Sequence, residues 1–403
     1  MSAYTLIING TKDLWKDGKG PSLVAISVGW GLLLGTRMIY PILLPYFRSS
    51  FDLSLTVAGF LVTILWLGSA VGQLPGGLLA DKYSERTLLA ISVVLVAIAL
   101  IFVITAPTAF ILFVATALVG LGQSLYPVAR ITMLSDIYSD RLGSALGITM
   151  ATGDLGQTVL PPVAGVLAVA IAWQAGLGFM IPLLLLVGVN IWTSIPVKTT
   201  KKTPIKSSVN ETIKHVISEI RQKRTIFIMF ILLLYIFIWQ SFTGLYPIYL
   251  VEQKGLSSTM AGVLFSLFFA IGIVIKPLAG AAYDRIGMRI SLLAVLVGPV
   301  IGFLLLPSTH ELWKLTILTM LVSSMLGSGA ITQSYLANSF SESIQGTGLG
   351  VIRTITATLG AMGPVVFGAI AERGYFNEGY IVLGCAMIVI MILTVWVPEG
   401  KTA

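Results

Sequence analysis

Long stretches of this sequence carry almost no charge, and that feature restricts the chain to a membrane-spanning fold. Between Arg86 and Asp136 the only charged residue is Arg130. A transmembrane helix needs about 20 mostly apolar residues, so this stretch has room for two. Charged residues make up 10% of the 403 residues, against about 25% in soluble globular domains. We therefore expect lipid to be the solvent for most of the chain.

Apolar runs separated by Gly, Pro and charged residues predict an all-α membrane protein of twelve transmembrane helices. The longest predicted loop, 196–224, separates a first six-helix bundle at 1–195 from a second at 225–403. Inside this loop apolar residues recur at helical spacing from Val209 to Ile220, which predicts an amphipathic helix on the membrane surface; a flexible linker is the alternative. The predicted spans are 21–47, 53–80, 86–105, 107–135, 142–170, 174–195, 225–250, 257–282, 288–306, 312–339, 345–371 and 377–397.

The basic residues are distributed unequally between the two sides that these spans define. Of the 25 Lys and Arg residues, seventeen fall on the side of both termini, four on the opposite side and four within spans. Because basic loops stay cytoplasmic, both termini are predicted to lie in the cytoplasm of a multi-pass protein of the cell membrane. The net charge of +8 is thus an orientation signal, and no nucleic-acid partner is expected.

Cysteine and histidine are scarce. Cys385 is the only cysteine, and His215 and His310 are the only histidines. The chain cannot form an internal disulfide, and we expect neither a metal site nor a cofactor. No phosphate-binding loop of the G-x4-G-K-[ST] kind is present, which argues against transport driven by ATP.

The two halves of the chain match at one fixed offset of 203 residues. Glycine matches alone would carry little weight because the chain has 41 glycines, but charged residues and prolines match at the same offset. Such a repeat implies two six-helix bundles related by a pseudo-two-fold axis. The matches pair Asp81 with Asp284, Lys82 with Arg285, Arg86 with Arg289 and Pro161 with Pro364.

Two loops that this repeat relates carry a family resemblance. Residues 77–86, GLLADKYSER, and their second copy at 280–289, GAAYDRIGMR, resemble the loop signature of the major facilitator superfamily. The first copy has Ser84 and Glu85 where the signature has Gly and Arg. The resemblance implies a secondary transporter that works by alternating access, rather than an enzyme.

The same resemblance assigns a gating role to the charged residues of these loops. An aspartate at the C-terminal end of a helix is disfavoured by the helix dipole, so it needs a stabilising neighbour. The resemblance implies that contacts between these aspartates and their neighbours hold the cytoplasmic side closed in one state and break in the other. The alternative is that these residues only anchor the basic loops on the cytoplasmic side. Arg130 lies six residues before Asp136 and is assigned to the same gate. The predicted gating residues are Asp81, Arg86, Arg130, Asp136, Asp284, Arg285 and Arg289.

Five charged side chains lie well inside the predicted spans, five or more residues from either end, and their sum is +3. Charges at the bilayer centre cost about 2.5–3.5 kcal/mol or more, so they usually face a cavity or a partner. A cavity with excess positive charge would be stabilised by an anionic cargo. The five residues are Arg37, Arg130, Asp154, Lys276 and Arg353.

Arg37 is the foremost predicted cargo contact, because it lies deep in the first span and its planar fork suits a carboxylate or phosphate. A structural ion pair is the alternative for this residue. Asp154, the only carboxylate that lies away from the ends of a span, is the predicted proton-coupling site, with a permanent counter-ion to an arginine as its alternative. The further predicted cargo contacts are Lys276, Arg353, Tyr40, Gln157 and Gln240.

The sequence therefore predicts a monomeric transporter of a small organic anion, coupled to protons. Residues 363–368, GPVVFG, partly resemble the glycine-proline motif of facilitator exporters, so a proton-driven exporter of drugs or hydrophobic compounds is the first alternative. Close helix packing explains these glycines and prolines equally well. A membrane sensor that keeps the fold without transport is the second alternative.

Overall fold

The structure is a computed structural model that describes residues 14–15, 18–73, 84–138, 141–196, 223–339 and 345–397. The predicted amphipathic helix of the central loop and the gating residue Asp81 lie outside these residues. By its contacts the chain forms two units, one of residues 1–46 and 64–202 and the other of residues 47–63 and 203–403. The predicted domain boundaries at 195 and 225 remain a prediction.

Helices account for nearly all of the described residues up to 196. The first two helices each have one end in either unit, since the division falls within them. These helices are α1 (Gly20–Phe51), α2 (Leu55–Val71), α3 (Glu85–Ile104), α4 (Ala109–Ser124), α5 (Tyr126–Ile137), α6 (Leu142–Ala170), α7 (Trp173–Gly178) and α8 (Met180–Ser194).

The remaining described residues are helical as well. The helices are α9 (Lys223–Glu252), α10 (Ser258–Leu305), α11 (Leu312–Ser323), a 3-10 turn (Ser324–Leu326), α12 (Gly327–Ser339), α13 (Gln345–Gly360), α14 (Gly363–Glu372) and α15 (Phe376–Trp396). Phe242 of α9 is the centre of an aromatic cluster, with ring centroids 4.5 Å from Tyr246, 5.1 Å from Phe268 and 5.4 Å from Phe303. This cluster fixes α9 against α10.

Every predicted span coincides with helix in the described residues. Nine helical stretches there are long and apolar enough to cross a membrane. To these α2 adds a shorter apolar helix of 17 residues, and α6 adds 29 residues that include Asp154. One of the nine, α10, has 48 residues and is interrupted by a kink at Gly287, so it has room for two spans of about 20 residues each. The fold class predicted from the sequence is confirmed.

The boundary between the predicted spans 257–282 and 288–306 coincides with a kink in α10. The chain is helical on both sides of Gly287, the one residue inside α10 with non-helical angles (φ 74°, ψ 176°). This left-handed conformation is open to glycine and unfavourable for other residues. A single glycine therefore makes the turn that the sequence pattern assigned to a loop.

One contact recurs in both units and supports the internal repeat. Arg86 at the start of α3 donates from Nη1 to the carbonyl oxygen of Ile195 at 3.1 Å, just after α8 ends. In the other unit Arg289 donates from Nη2 to the carbonyl oxygen of Val397 at 2.7 Å, just after α15 ends. The last carbonyls of a helix have no partner within it, and arginine is a favourable cap for them.

A second pair of contacts shows the same correspondence. Ser92 of α3 donates to the carbonyl oxygen of Gly122 in α4 at 2.7 Å. In the other unit Ser324 donates to the carbonyl oxygen of Val295 in α10 at 2.8 Å. Position 92 plus the offset of 203 is position 295, so the repeat found in the sequence also relates the contacts between neighbouring helices.

The glycines of α6 let α1 approach its backbone closely. A methyl group added at Gly156 would overlap the carbonyl oxygen of Gly31. At Gly153 an added methyl would lie 2.7 Å from the indole nitrogen of Trp30. Small residues at such crossings are what membrane helices use to pack without large side chains. Packing thus accounts for Gly153 and Gly156 of this span.

We predict that Gly156→Ala destabilises the protein by about 1–3 kcal/mol, because the overlapped atom is backbone and cannot move aside as a side chain would. The measurement is the melting temperature of the purified protein in detergent, which is expected to fall.

Gly147→Ala in the same helix is the matched control, since nothing lies within 4 Å of a methyl group added there. Alanine in a helix is about 0.5–1 kcal/mol better than glycine, so this variant is expected to melt at the same or a higher temperature. Equal losses in the two variants would contradict the packing account.

Candidate functional site

Arg37 lies in the middle of α1, far from both ends of the helix. It is residue 18 of the 32 in α1, which places it roughly 20 Å or more from either end at about 1.5 Å per residue. Leu33, one turn earlier, and Tyr40, about one turn later, are buried on the same helix. The guanidinium therefore cannot reach water beyond the membrane surface and must be satisfied inside the protein.

Three uncharged residues hold this guanidinium, and we call them the Arg37 cradle: Trp66, Ser69 and Gln123. Arg37 donates from Nε to Oε1 of Gln123 at 2.9 Å and from Nη2 to Oγ of Ser69 at 2.6 Å. Its Cζ atom lies 4.7 Å from the centroid of the Trp66 ring. Trp66 and Ser69 are three residues apart on α2, so both face the same side of that helix.

The cradle binds the cation without neutralising it. Within the described residues Arg37 makes no ion pair, and its polar contacts are those to Gln123 and Ser69. The cradle residues are themselves buried, with at most 7% of their surface exposed. A buried charge normally has a partner of opposite sign, since desolvation alone costs several kcal/mol. The alternative of a structural ion pair for Arg37 is not what this structure shows.

A second arginine of the same unit also stacks on a tryptophan. The Cζ atom of Arg130 lies 4.2 Å from the ring centroid of Trp30, and its Nη1 donates to Oγ1 of Thr149 at 2.8 Å. Trp30 in turn stacks on Tyr126, with centroids 6.2 Å apart, and the Tyr126 hydroxyl donates to the carbonyl oxygen of Ile26 at 2.8 Å. Arg130 is thus buried within the first unit. Its gating role remains a prediction.

Asp154 lies near the middle of α6 and is partly accessible. Its Oδ1 accepts a hydrogen bond of 3.3 Å from Nε2 of Gln157, one turn later on the same helix. Gln157 is 6% exposed. Two of the predicted site residues are therefore brought into direct contact, and the carboxylate keeps some access to the surface of its unit.

The predicted contacts in the second unit have different surroundings. Arg353 of α13 is exposed, and its side chain makes no hydrogen bond or ion pair with another described residue. Lys276 of α10 is partly exposed. Gln240 of α9 is only 2% exposed, and its Oε1 finds no hydrogen-bond partner among the described residues.

Two of the predicted cargo contacts are sealed in this structure. Tyr40 has no exposed surface, and Gln240 has almost none. Both are polar residues near mid-span that could shape a cavity or serve in packing. In this structure they are buried, and their role as cargo contacts remains a prediction.

The second copy of the predicted gate has two exposed charged residues. Asp284 and Arg285 lie on the surface of their unit, and within the described residues their side chains make no hydrogen bond or ion pair. Their partner in the repeat, Asp81, lies outside the described residues. Asp136 is exposed as well. The gating roles of these residues remain a prediction.

Sequence reasoning missed most of the Arg37 cradle. Gln123, Trp66 and Ser69 were not among the predicted site residues. A signal was present, since Ser69 is one of three hydroxyl residues in the mostly apolar helix α2 and lies one turn after a tryptophan. What the sequence could not show is that this face of α2 meets Arg37.

No metal centre is evident in the part of the chain that the structure describes, where no three His, Cys, Asp or Glu side chains come close enough to hold an ion. The arrangement that remains is a buried, oriented cation in a helical membrane unit. The planar fork of a guanidinium has the geometry to hold a carboxylate or a phosphate through two hydrogen bonds.

Comparison with known proteins decides the family. The family model described as Major Facilitator Superfamily matches residues 26–362 and, in a second overlapping match, residues 228–403. The chain belongs to this superfamily. The two overlapping matches are what an internal repeat would produce, and the resemblance of the two loops to the superfamily's signature is confirmed.

Superfamily relatives include transporters of different named substrates. The chain is 24% identical to the hexuronate transporter of Bacillus subtilis (strain 168) over 374 residues, 86% of this chain and 87% of the relative. It is also 24% identical to the fosmidomycin resistance protein of Escherichia coli (strain K12) over 376 residues, 90% of this chain and 88% of the relative.

A solved structure shows the same fold. The bacterial homologue of the human lysosomal transporter Spinster, in an inward-facing and occupied conformation, superposes with a TM-score of 0.80 at 13% identity, covering 96% of this chain and all of that one. The superfamily member described here is therefore a multi-pass membrane protein and a secondary transporter, and not an enzyme.

Proposed function

We propose that this transporter carries a small organic anion and that Arg37 binds the cargo carboxylate. The observation that supports the proposal is the Arg37 cradle, which buries a guanidinium among uncharged groups only. An anion is the partner that would complete the electrostatics of this site, since charge-assisted hydrogen bonds are about twice as strong as neutral ones. The hexuronate transporter is a relative whose name states an anionic substrate.

Arg353 and Lys276 are the proposed cargo contacts of the second unit. The side chain of Arg353 makes no hydrogen bond or ion pair with another described residue. The position that matches Lys276 in the repeat is Gln73, so this basic group belongs to one half only. An excess of fixed cations raises the local concentration of anions and favours their binding over that of neutral molecules.

Asp154 is the proposed proton-coupling residue, with Gln157 as its hydrogen-bond donor. Ionisable residues inside membrane segments commonly mark proton relays, and Asp154 is the carboxylate that lies near the middle of α6. We further propose that both chain termini lie in the cytoplasm, which is supported by the excess of basic residues on that side.

An exporter of drug-like compounds is the alternative, and the fosmidomycin resistance protein among the relatives favours it. The glycine-proline span, however, is accounted for by packing. A methyl group added at Gly363 would lie 2.6 Å from the carbonyl oxygen of Phe237, and one added at Gly368 would lie 2.5 Å from that of Leu55. These glycines therefore carry no separate argument for export.

We predict that Arg37→Gln weakens anion transport by about 10- to 100-fold, because a hydrogen bond to a charged group contributes about 1.5–3 kcal/mol. The measurement is uptake of radiolabelled D-glucuronate, and of a panel of other carboxylates, into liposomes that contain the purified protein. The Michaelis constant is expected to rise.

Arg373→Gln is the matched control, since Arg373 is exposed and its side chain makes no hydrogen bond or ion pair with a described residue. It should transport as the unmodified protein does. Undiminished carboxylate uptake by Arg37→Gln would disprove the cargo assignment, and export of neutral hydrophobic compounds without anion uptake would favour the alternative.

We predict that Asp154→Asn separates exchange from accumulation. The variant cannot bind or release a proton at this position, so uptake driven by a pH gradient should be lost. Exchange of labelled for unlabelled anion, which needs no net proton movement, should continue. Gln157→Leu, which removes only the hydrogen-bond donor, is expected to retain coupling. Full accumulation by Asp154→Asn would show that the coupling residue lies elsewhere.

A further inference from the structure

Some N–H donors of the Arg37 guanidinium are engaged in hydrogen bonds to the cradle, and others are not. A guanidinium carries five N–H donors. The Nε donor is taken by Gln123 and one Nη2 donor by Ser69. The two donors of Nη1 and the second of Nη2 make no hydrogen bond to any other described residue. The open edge of the fork is therefore the one formed by Nη1 and Nη2.

Gln123 fixes this orientation through both ends of its amide. Its Oε1 accepts from Nε of Arg37 at 2.9 Å, and its Nε2 donates to the carbonyl oxygen of Leu33 at 3.1 Å. Leu33 lies one turn before Arg37 on α1, so the amide connects two points of that helix to α4. Gln123 is 1% exposed, and reversing its amide would set donors against the guanidinium.

The neutrality of the Gln123 side chain has an electrostatic consequence. Glutamate has nearly the same size and the same acceptor oxygen, but at this position it would form a buried ion pair with Arg37. Two opposite charges 4 Å apart attract each other by about 4 kcal/mol at an effective dielectric constant of 20. A cargo anion would then have to compete with a permanent partner for the same cation.

We propose that Gln123 is the residue that makes this site selective for anions: it holds Arg37 in place while leaving its charge for a single cargo carboxylate, which binds across the open Nη1–Nη2 edge. This inference rests on the proposed function and deepens it. Gln123 is a positioning residue, since it acts through Arg37. The site so described accepts one carboxylate group, and the rest of the cargo must find its contacts elsewhere.

The test compares Gln123→Glu with Gln123→Leu. If Gln123 only supported the fold, Glu would be the milder change, because it keeps the size and the acceptor for Arg37. If it preserves the charge of Arg37, Glu is the more harmful change for anions, since it neutralises the site. Without ligand, we expect Gln123→Glu to melt at the same or a higher temperature than Gln123→Leu. We nevertheless expect Gln123→Glu to bind D-glucuronate at least 10-fold more weakly than Gln123→Leu does.

Binding is measured by the shift in melting temperature that added D-glucuronate produces, and by uptake into liposomes. Weaker binding by Gln123→Leu than by Gln123→Glu would overturn the inference. Arg37→Gln separates this failure from that of the proposed function. If Arg37→Gln abolishes binding while Gln123→Glu does not, the assignment of Arg37 as a cargo contact is supported and the proposed role of Gln123 is wrong. If Arg37→Gln binds D-glucuronate normally, both the cargo assignment and the role of Gln123 are wrong.

Discussion

A cation in the middle of a membrane helix is stable only where protein groups replace the water that it has lost, and Arg37 meets that requirement without a carboxylate. The full cost of desolvation is several kcal/mol for each ion. Gln123 and Ser69 supply oriented dipoles, and Trp66 supplies the negative face of its ring. A cation stacked on an aromatic ring gains about 2 kcal/mol or more when desolvated. Together these contacts stabilise the guanidinium without cancelling its positive charge, so the charge can still attract an anion.

The cradle depends in turn on how closely the helices of its unit approach one another. Gly31 and Gly156 bring α1 and α6 together at their backbones, and a glycine at position 120 allows the same close approach to α2 near Leu65. In lipid the association of helices is driven by such packing and by hydrogen bonds between helices, since lipid is as apolar as the side chains. The position of Arg37 is therefore set by small residues that never touch it.

Much of the fold could be predicted from the sequence, because in lipid the backbone must satisfy its own hydrogen bonds and long apolar runs become helices. The site could be predicted only in part. Arg37 and Asp154 stand out as charges inside apolar spans, but Ser69 and Trp66 lie about 30 positions from Arg37, and no local pattern records that distant contact. The burial of Tyr40 could not be predicted for a related reason, since polarity near mid-span does not say which way a side chain faces.

A cradle of neutral groups suits a transporter better than either of its alternatives. A guanidinium paired with a fixed carboxylate would have to break that pair each time a cargo molecule binds, and breaking a buried pair costs about 3–5 kcal/mol. A guanidinium with no partners at all would destabilise the empty protein by more than cargo binding could offset. Hydrogen bonds from Arg37 to Gln123 and Ser69 lie between these extremes. The empty site is then stable enough to persist, and its charge remains available for the next anion.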